Sequence, residues 1–218
     1  MAPETTPETR RGPDWDARYA AVEGGLFGEA PSLGLVMALA RLRASGRAPR
    51  SAVLVADGDG RNGTWLAREG LAVTATDLSA EATRRAEARD RAAGVAVDRR
   101  AEDVTAAPPP APAELSALIY LQGPASLRRC ALASAAAATA PGGALFLEGF
   151  SGESGGGPGP ADPALRWSVA EALGWLAEDA PDLSPEEAMD GLVRLDEGPK
   201  HRGAARVLRL ILTRPEAR

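Results

Sequence analysis

Three acids and a glycine-rich loop recur at short intervals in the first half of this chain, each directly after an apolar run. The first run ends in Asp57-Gly58-Asp59-Gly60-Arg61-Asn62-Gly63, the second at Asp77, and the third leads into Glu102-Asp103-Val104. Gly58 and Gly60 allow a tight turn and let backbone approach a ligand with no Cβ in the way. Asp77 is placed to accept hydrogen bonds from the two ribose hydroxyls of an adenosine, with Leu78 flat beside the adenine. Glu102-Asp103-Val104 can offer a carboxylate to the adenine amino group and a backbone N–H to a ring nitrogen. Beyond the carboxyl ends of strands in an open α/β sheet, such a set suits a nucleoside-containing cofactor.

The string GDGRNG also satisfies the dinucleotide fingerprint GxGxxG, with Asp77 near the spacing that fingerprint requires. A nicotinamide reading leaves the acids at 102–103 without a role, and 218 residues leave no room for a separate substrate domain. Two further groups bear on chemistry. Trp15 and Tyr19 are four apart and share a helix face, either packing on the sheet or lying over a bound cation. His201, the single histidine, stands between Lys200 and Arg202, and a loop there suits an anionic acceptor. One His and one Cys far apart in sequence predict no metal site.

The elements that must position these residues follow from periodicity. Ser51–Ala56, Leu71–Thr76, Val95–Arg99, Leu115–Leu121 and Gly143–Gly149 read as buried strands. Helical patterns separate most of them: TWLAREG, AEATRRAEARDRAA after a Ser79 N-cap, and Ala125–Ala140. This alternation predicts an α/β doubly wound, Rossmann-like sheet, mostly parallel, with helices on both faces. A helix around Ala164–Glu178 follows, then two strand-like runs, Leu192–Asp196 and Ala205–Thr213, joined only by a loop. Lacking a crossover, these two must pair antiparallel. Ahead of the sheet, Asp14 caps a short helix at Trp15, and Pro31 opens the helix SLGLVMALARLRAS. Residues 1–13, rich in Pro, Thr and Glu, are expected to form a disordered tail before a single domain spanning 14–218. Within it, 14–46 forms a helical cover.

Composition narrows the partners. The formal net charge is −5 and no basic stripe is present, which disfavours nucleic acid. No run of 18 apolar residues and no apolar leader occurs, so the expectation is a cytoplasmic protein that neither binds nor spans a membrane. Cys130 is the only cysteine and is expected to be buried. Oligomeric state is not encoded in any of these patterns.

With WDARYA, Phe27-Gly28, DGDGRNGTWLAREGLAVTATDLS, AEDV, APGGALFLEGF and DEGPKHRG in view, the chain resembles the class I S-adenosylmethionine-dependent methyltransferases. The similarity is to a bacterial, tellurite-resistance-like branch, more distantly related to thiopurine methyltransferases, and it covers roughly residues 14–214. It implies a seven-stranded sheet with an antiparallel C-terminal hairpin. It also implies methyl transfer from S-adenosylmethionine to a heteroatom (S/Se/Te, O or N) of a small molecule. By position, the resemblance gives Asp57, Gly58, Gly60 and Asn62 to the loop around the methionine part of the cofactor. It gives Asp77 with Leu78 to the ribose and adenine, Asp103 and Val104 to the adenine, and Trp15 and Tyr19 to a lid. His201 and Arg202 fall to the acceptor, with no general base assigned. Two positions depart from the pattern. Leu54 stands where many such enzymes carry an acid, and Gln122 where relatives often have a histidine beside the cofactor. The alternatives are a nicotinamide-dependent oxidoreductase and a non-catalytic cofactor-binding sensor.

Overall fold

The computed structural model describes residues 13–152, 157–198 and 200–217. Most of the expected tail, residues 1–12, therefore lies outside the described residues. One sheet of seven strands organises the chain: β1 (Ser51–Val55), β2 (Ala72–Asp77), β3 (Val97–Ala101), β4 (Ala113–Ile119), β5 (Thr139–Phe150), β6 (Ser184–Gly198) and β7 (His201–Thr213). Their spatial order is β3-β2-β1-β4-β5-β7-β6. The first five pair in parallel, while β7 lies antiparallel to both β5 and β6. The chain order reverses between β1 and β4, and that reversal opens a crevice at their carboxyl ends.

The helices are α1 (Trp15–Ala20), α2 (Leu33–Ala44), α3 (Arg61–Arg68), α4 (Ala80–Ala93), α5 (Ala125–Ala137) and α6 (Val169–Asp179). Alternate strand residues face opposite sides of the sheet, and the core divides accordingly. Ala52 and Leu54 of β1 pack with Leu35, Leu39 and Leu42 of α2 and Leu66 of α3. Val53 and Val55 face Ala131 and Leu132 of α5 and Leu176 of α6. Each buried Leu or Val contributes about 1.5–3 kcal/mol, so both layers are held by the same central strands. No helix among the described residues is long and apolar enough to cross a membrane.

Most boundaries shift by a few residues, β5 beginning at Thr139 where the helix was read on to Ala140, and three of the shifts have a clear local reason. Helix α3 begins at Arg61, directly after Gly60, because Gly60 takes the left-handed N-cap conformation (φ 86°). The expected helix around Ala164–Glu178 begins only at Val169, since Trp167 first bridges to Ser151 as an extra strand rung. The last two strands are much longer than their apolar cores, because charged residues alternate outward along an edge strand. His201 is thereby the first residue of β7, not a loop residue, and it is 2% exposed.

Candidate functional site

The glycine loop turns at the end of β1, where Ala56 holds a positive φ of 58° and Gly58 one of 61°. A Cβ on Gly58 would come within 2.5 Å of the Tyr19 hydroxyl, so glycine is required there by close approach as well as by conformation. Asp57 points inward. Its carboxylate accepts from the Gly63 N–H (3.1 Å) and pairs with Arg99 of β3 at 2.6 Å. Arg99 also reaches Asp90 of α4 at 2.9 Å, tying β3 and α4 to the start of α3. Burial lifts the Asp57 carboxyl to about 6, against the pull of Arg99 and the Gly63 N–H. Asp57 thus builds the loop from beneath rather than lining it.

Asp77 faces the loop from the end of β2. One carboxylate oxygen accepts from the Gly58 N–H (2.8 Å) and the other from the Ser79 N–H (2.9 Å). Burial raises its pKa while those two N–H groups oppose the shift. A carboxylate has about four lone-pair positions, so two remain for ribose hydroxyls. Glu102 N–H donates to the Asp77 carbonyl at 2.8 Å, bringing the third strand end alongside. There Asp103 accepts from the Thr105 N–H (2.9 Å), and the Val104 carbonyl accepts from the Cys130 thiol (3.3 Å), with Cys130 half-buried. Leu78 is 47% exposed beside Asp77.

The N-terminal segment closes over this floor. Asp16 accepts from the Ser79 hydroxyl (2.5 Å) and the Glu81 N–H (3.0 Å), pinning α1 to the start of α4. Tyr19 is buried above Gly58, and Trp15, Tyr19 and Phe27 form one aromatic cluster with centroids 6.1–6.5 Å apart. Asp59 accepts from the Leu26 N–H (3.1 Å), and Asn62 accepts from the Ser32 N–H (2.8 Å) at the cap of α2. The glycine loop therefore anchors the cover at two points.

A second cluster adjoins the first. Arg61 pairs with Glu197 at 2.9 Å, and the His201 Nδ1 lies 3.3 Å from Arg61 and 3.4 Å from Glu197. Burial and the Arg61 cation hold the His201 pKa below its ordinary value, against Glu197. Burial opposes ionisation of Glu197, yet His201 and Arg61 keep its carboxyl below the ordinary range. The imidazole is enclosed by Phe27 (5.0 Å), Tyr120 (4.3 Å) and Phe150 (5.4 Å).

Trp15, Tyr19, Gly58, Gly60, Asn62, Asp77, Leu78, Asp103 and Val104 are thus brought around the carboxyl ends of β1 to β3, Asp57 braces the glycine loop from beneath without lining it, and His201 is brought in through Arg61. Arg202 is not: neighbouring strand residues point to opposite faces, and its side chain is 74% exposed, paired with Asp196. Gln122 spans two backbone groups, with its amide nitrogen toward the Leu165 carbonyl (2.9 Å) and its oxygen toward the Phe150 N–H (2.8 Å). Leu54 lies in the core under α2. Sequence reasoning missed Tyr120 and Arg61 as site residues. For Tyr120 a signal existed, since the chain has only two tyrosines and this one stands one residue before the end of an apolar run.

No protein-family model matches the chain, and no curated protein matches it. Solved structures do. The N-methyltransferase NodS from Bradyrhizobium japonicum WM9, in complex with S-adenosyl-L-homocysteine, superposes with a TM-score of 0.66 at 17% identity, covering 93% of this chain and 97% of that one. Magnesium protoporphyrin IX methyltransferase (ChlM) from Synechocystis PCC 6803, with bound S-adenosylhomocysteine, gives 0.63 at 15% identity and 92% of each chain. TehB from Haemophilus influenzae gives 0.62 at 15% identity, covering 79% of this chain and 60% of that one. The fold is that of these methyltransferases.

Proposed function

We propose that this chain, having the fold of S-adenosylmethionine-dependent methyltransferases, transfers a methyl group from that cofactor to a heteroatom of a small molecule in the cytoplasm. The observation that carries the reading is Asp77: a half-buried carboxylate at the second strand end, facing the Gly58 backbone with two lone-pair positions unused. The donor set fits the cofactor. Asp77 would hold the ribose and Asp103 with Val104 the adenine, while the Gly58–Gly60 backbone would pass the methionine part. S-adenosylmethionine, when bound, supplies an already activated methyl on a sulfonium centre.

What remains for the protein is to position donor and acceptor in line and to exclude water. Tyr19 and Phe27 cover the floor, and Phe27, Tyr120, Phe150 and His201 wall the region next to it. The wall is aromatic and its histidine is held neutral, which suits the face of a cationic donor and a weakly basic or anionic acceptor. Relatives of this fold act on nitrogen, as NodS does, and one neighbour concerns the conversion of a disulfide bond into a thioacetal group in echinomycin biosynthesis. Neither acceptor is carried over here. The test is release of S-adenosylhomocysteine from S-adenosylmethionine across a panel of thiols, phenols, amines and chalcogen oxyanions. Silence across the panel, in protein that binds the cofactor, favours the sensor reading. Binding of NADH in its place favours the oxidoreductase.

A further inference from the structure

Tyr120 carries two structural costs. It follows β4 in a left-handed conformation (φ 55°), which a bulky side chain rarely adopts. Its hydroxyl is buried and has no hydrogen-bond partner among the described residues, although leaving a buried hydroxyl unpaired forfeits the hydrogen bond it would make to water in the unfolded chain. Both costs fall at the reversal point of the sheet, where Tyr120 N–H donates to the Glu148 carbonyl (2.7 Å) as the pairing of β4 with β5 ends. The unusual backbone aims the ring away from the strand direction and stacks it on Phe150 (4.9 Å) and His201 (4.3 Å).

The surrounding polar groups are already committed. Glu148 is bound by Arg209 and the Ser32 hydroxyl, and Glu197 by Arg61 and His201. Neither carboxylate reaches the phenol. Burial and these two carboxylates hold the phenol protonated well above its ordinary pKa, with Arg209 and Arg61 opposing, so it can donate a hydrogen bond but cannot serve as a base. Strain and an idle donor at one residue, at the place where this fold binds ligands, mark a group whose partner arrives with the substrate.

We infer that Tyr120 is an acceptor-binding residue: its hydroxyl donates a hydrogen bond to the acceptor heteroatom and holds that atom in its electron-rich, deprotonated form beside the donor methyl. The inference rests on the methyltransferase reading. In the transfer itself a lone pair of the acceptor forms the new bond to the methyl carbon. The carbon–sulfur pair returns to sulfur, and Tyr120 keeps its proton throughout.

The test uses full-length protein saturated with S-adenosylhomocysteine and two chromogenic probes, 4-nitrobenzenethiol and 4-nitrophenol, whose absorbance reports their own ionisation. At least one probe, bound to wild type, should titrate at least one pH unit below its value in water. In Tyr120→Phe that shift should disappear, with S-adenosylhomocysteine affinity unchanged. Urea unfolding of the free variant should be no easier than wild type, since an unpaired buried hydroxyl has been removed. A shift that survives in Tyr120→Phe overturns the inference, as does binding without a shift or failure of both probes to bind. If S-adenosylhomocysteine itself does not bind wild type, the methyltransferase reading fails, and this inference with it.

Discussion

Gly28 and Gly198 meet backbone to backbone, locking the N-terminal cover to the end of β6. A Cβ on Gly28 would overlap the Glu197 carbonyl, and one on Gly198 would overlap Gly28 itself and crowd the Phe27 carbonyl, 2.6 Å away. The same contact delivers Phe27 to His201 and Glu197 to Arg61. Cover and hairpin therefore form one unit over the crevice.

Gly198→Ala should separate them. Hydrogen exchange across residues 24–31 should accelerate at least tenfold, while the β1–β4 core keeps its protection. Unchanged exchange in that segment would mean the two glycines merely lie close.

The cover should also respond to ligand. Besides the Gly28–Gly198 contact, residues 14–28 are held by polar anchors from the sheet side: the Asp16 carboxylate on Ser79 and Glu81, the Asp59 carboxylate on Leu26, and the Arg85 guanidinium on the Val22 and Gly24 carbonyls. S-adenosylhomocysteine should raise exchange protection there, and Asp16→Ala should lower it in the free protein. Equal protection with and without ligand would make α1 a packed helix and nothing more.

Arg99 neutralises a carboxylate whose side chain is 1% exposed. Arg99→Met should cost about 3–5 kcal/mol in denaturant unfolding, because it strands Asp57 without its cation. Adding Asp57→Asn should return much of that loss, giving a coupled rather than additive double mutant. Additive losses would show that the pair does not act as one.

His201 sets an acid-side limit on stability. Its folded pKa lies below the unfolded value of about 6.5, so below that pH the unfolded chain takes up a proton that the folded chain refuses. Stability should therefore fall as pH drops from about 6.5 through the folded value. His201→Phe should flatten that part of the urea-midpoint profile relative to wild type. Parallel profiles would place the titration elsewhere. In turnover assays His201→Ala should lower the rate, whereas Arg202→Ala, solvent-exposed and paired with Asp196, should leave it within twofold.

The fold was legible because strand and helix periods alternate cleanly and the last two apolar runs have no crossover between them. Gly58, Gly60, Asp77 and Asp103 were legible for a related reason: residues at successive strand ends of a parallel sheet meet at one edge. The acceptor side was not. Arg61 and Glu197 look like ordinary surface charges in sequence, and they are buried where the N-terminal cover, through Ala30 and the Gly28–Gly198 contact, meets the end of β6. His201 and Arg202 looked equivalent in a loop, yet as adjacent strand residues they face opposite sides. Leu54 departs from the expected acid because the β1 side chain there faces Leu35, Leu39 and Leu66 in the core, and a carboxylate would need a partner that this layer lacks.

The central claim is that Asp77 holds the ribose of S-adenosylmethionine, and calorimetric titration with S-adenosylhomocysteine tests it most directly. Wild type should bind S-adenosylhomocysteine and not NADH. Folded Asp77→Ala should lose about 1.5–3 kcal/mol of that affinity, a weakening on the order of 10- to 100-fold, as expected for a hydrogen bond to a charged group. Equal affinity in wild type and Asp77→Ala, or a preference for NADH, would contradict the account.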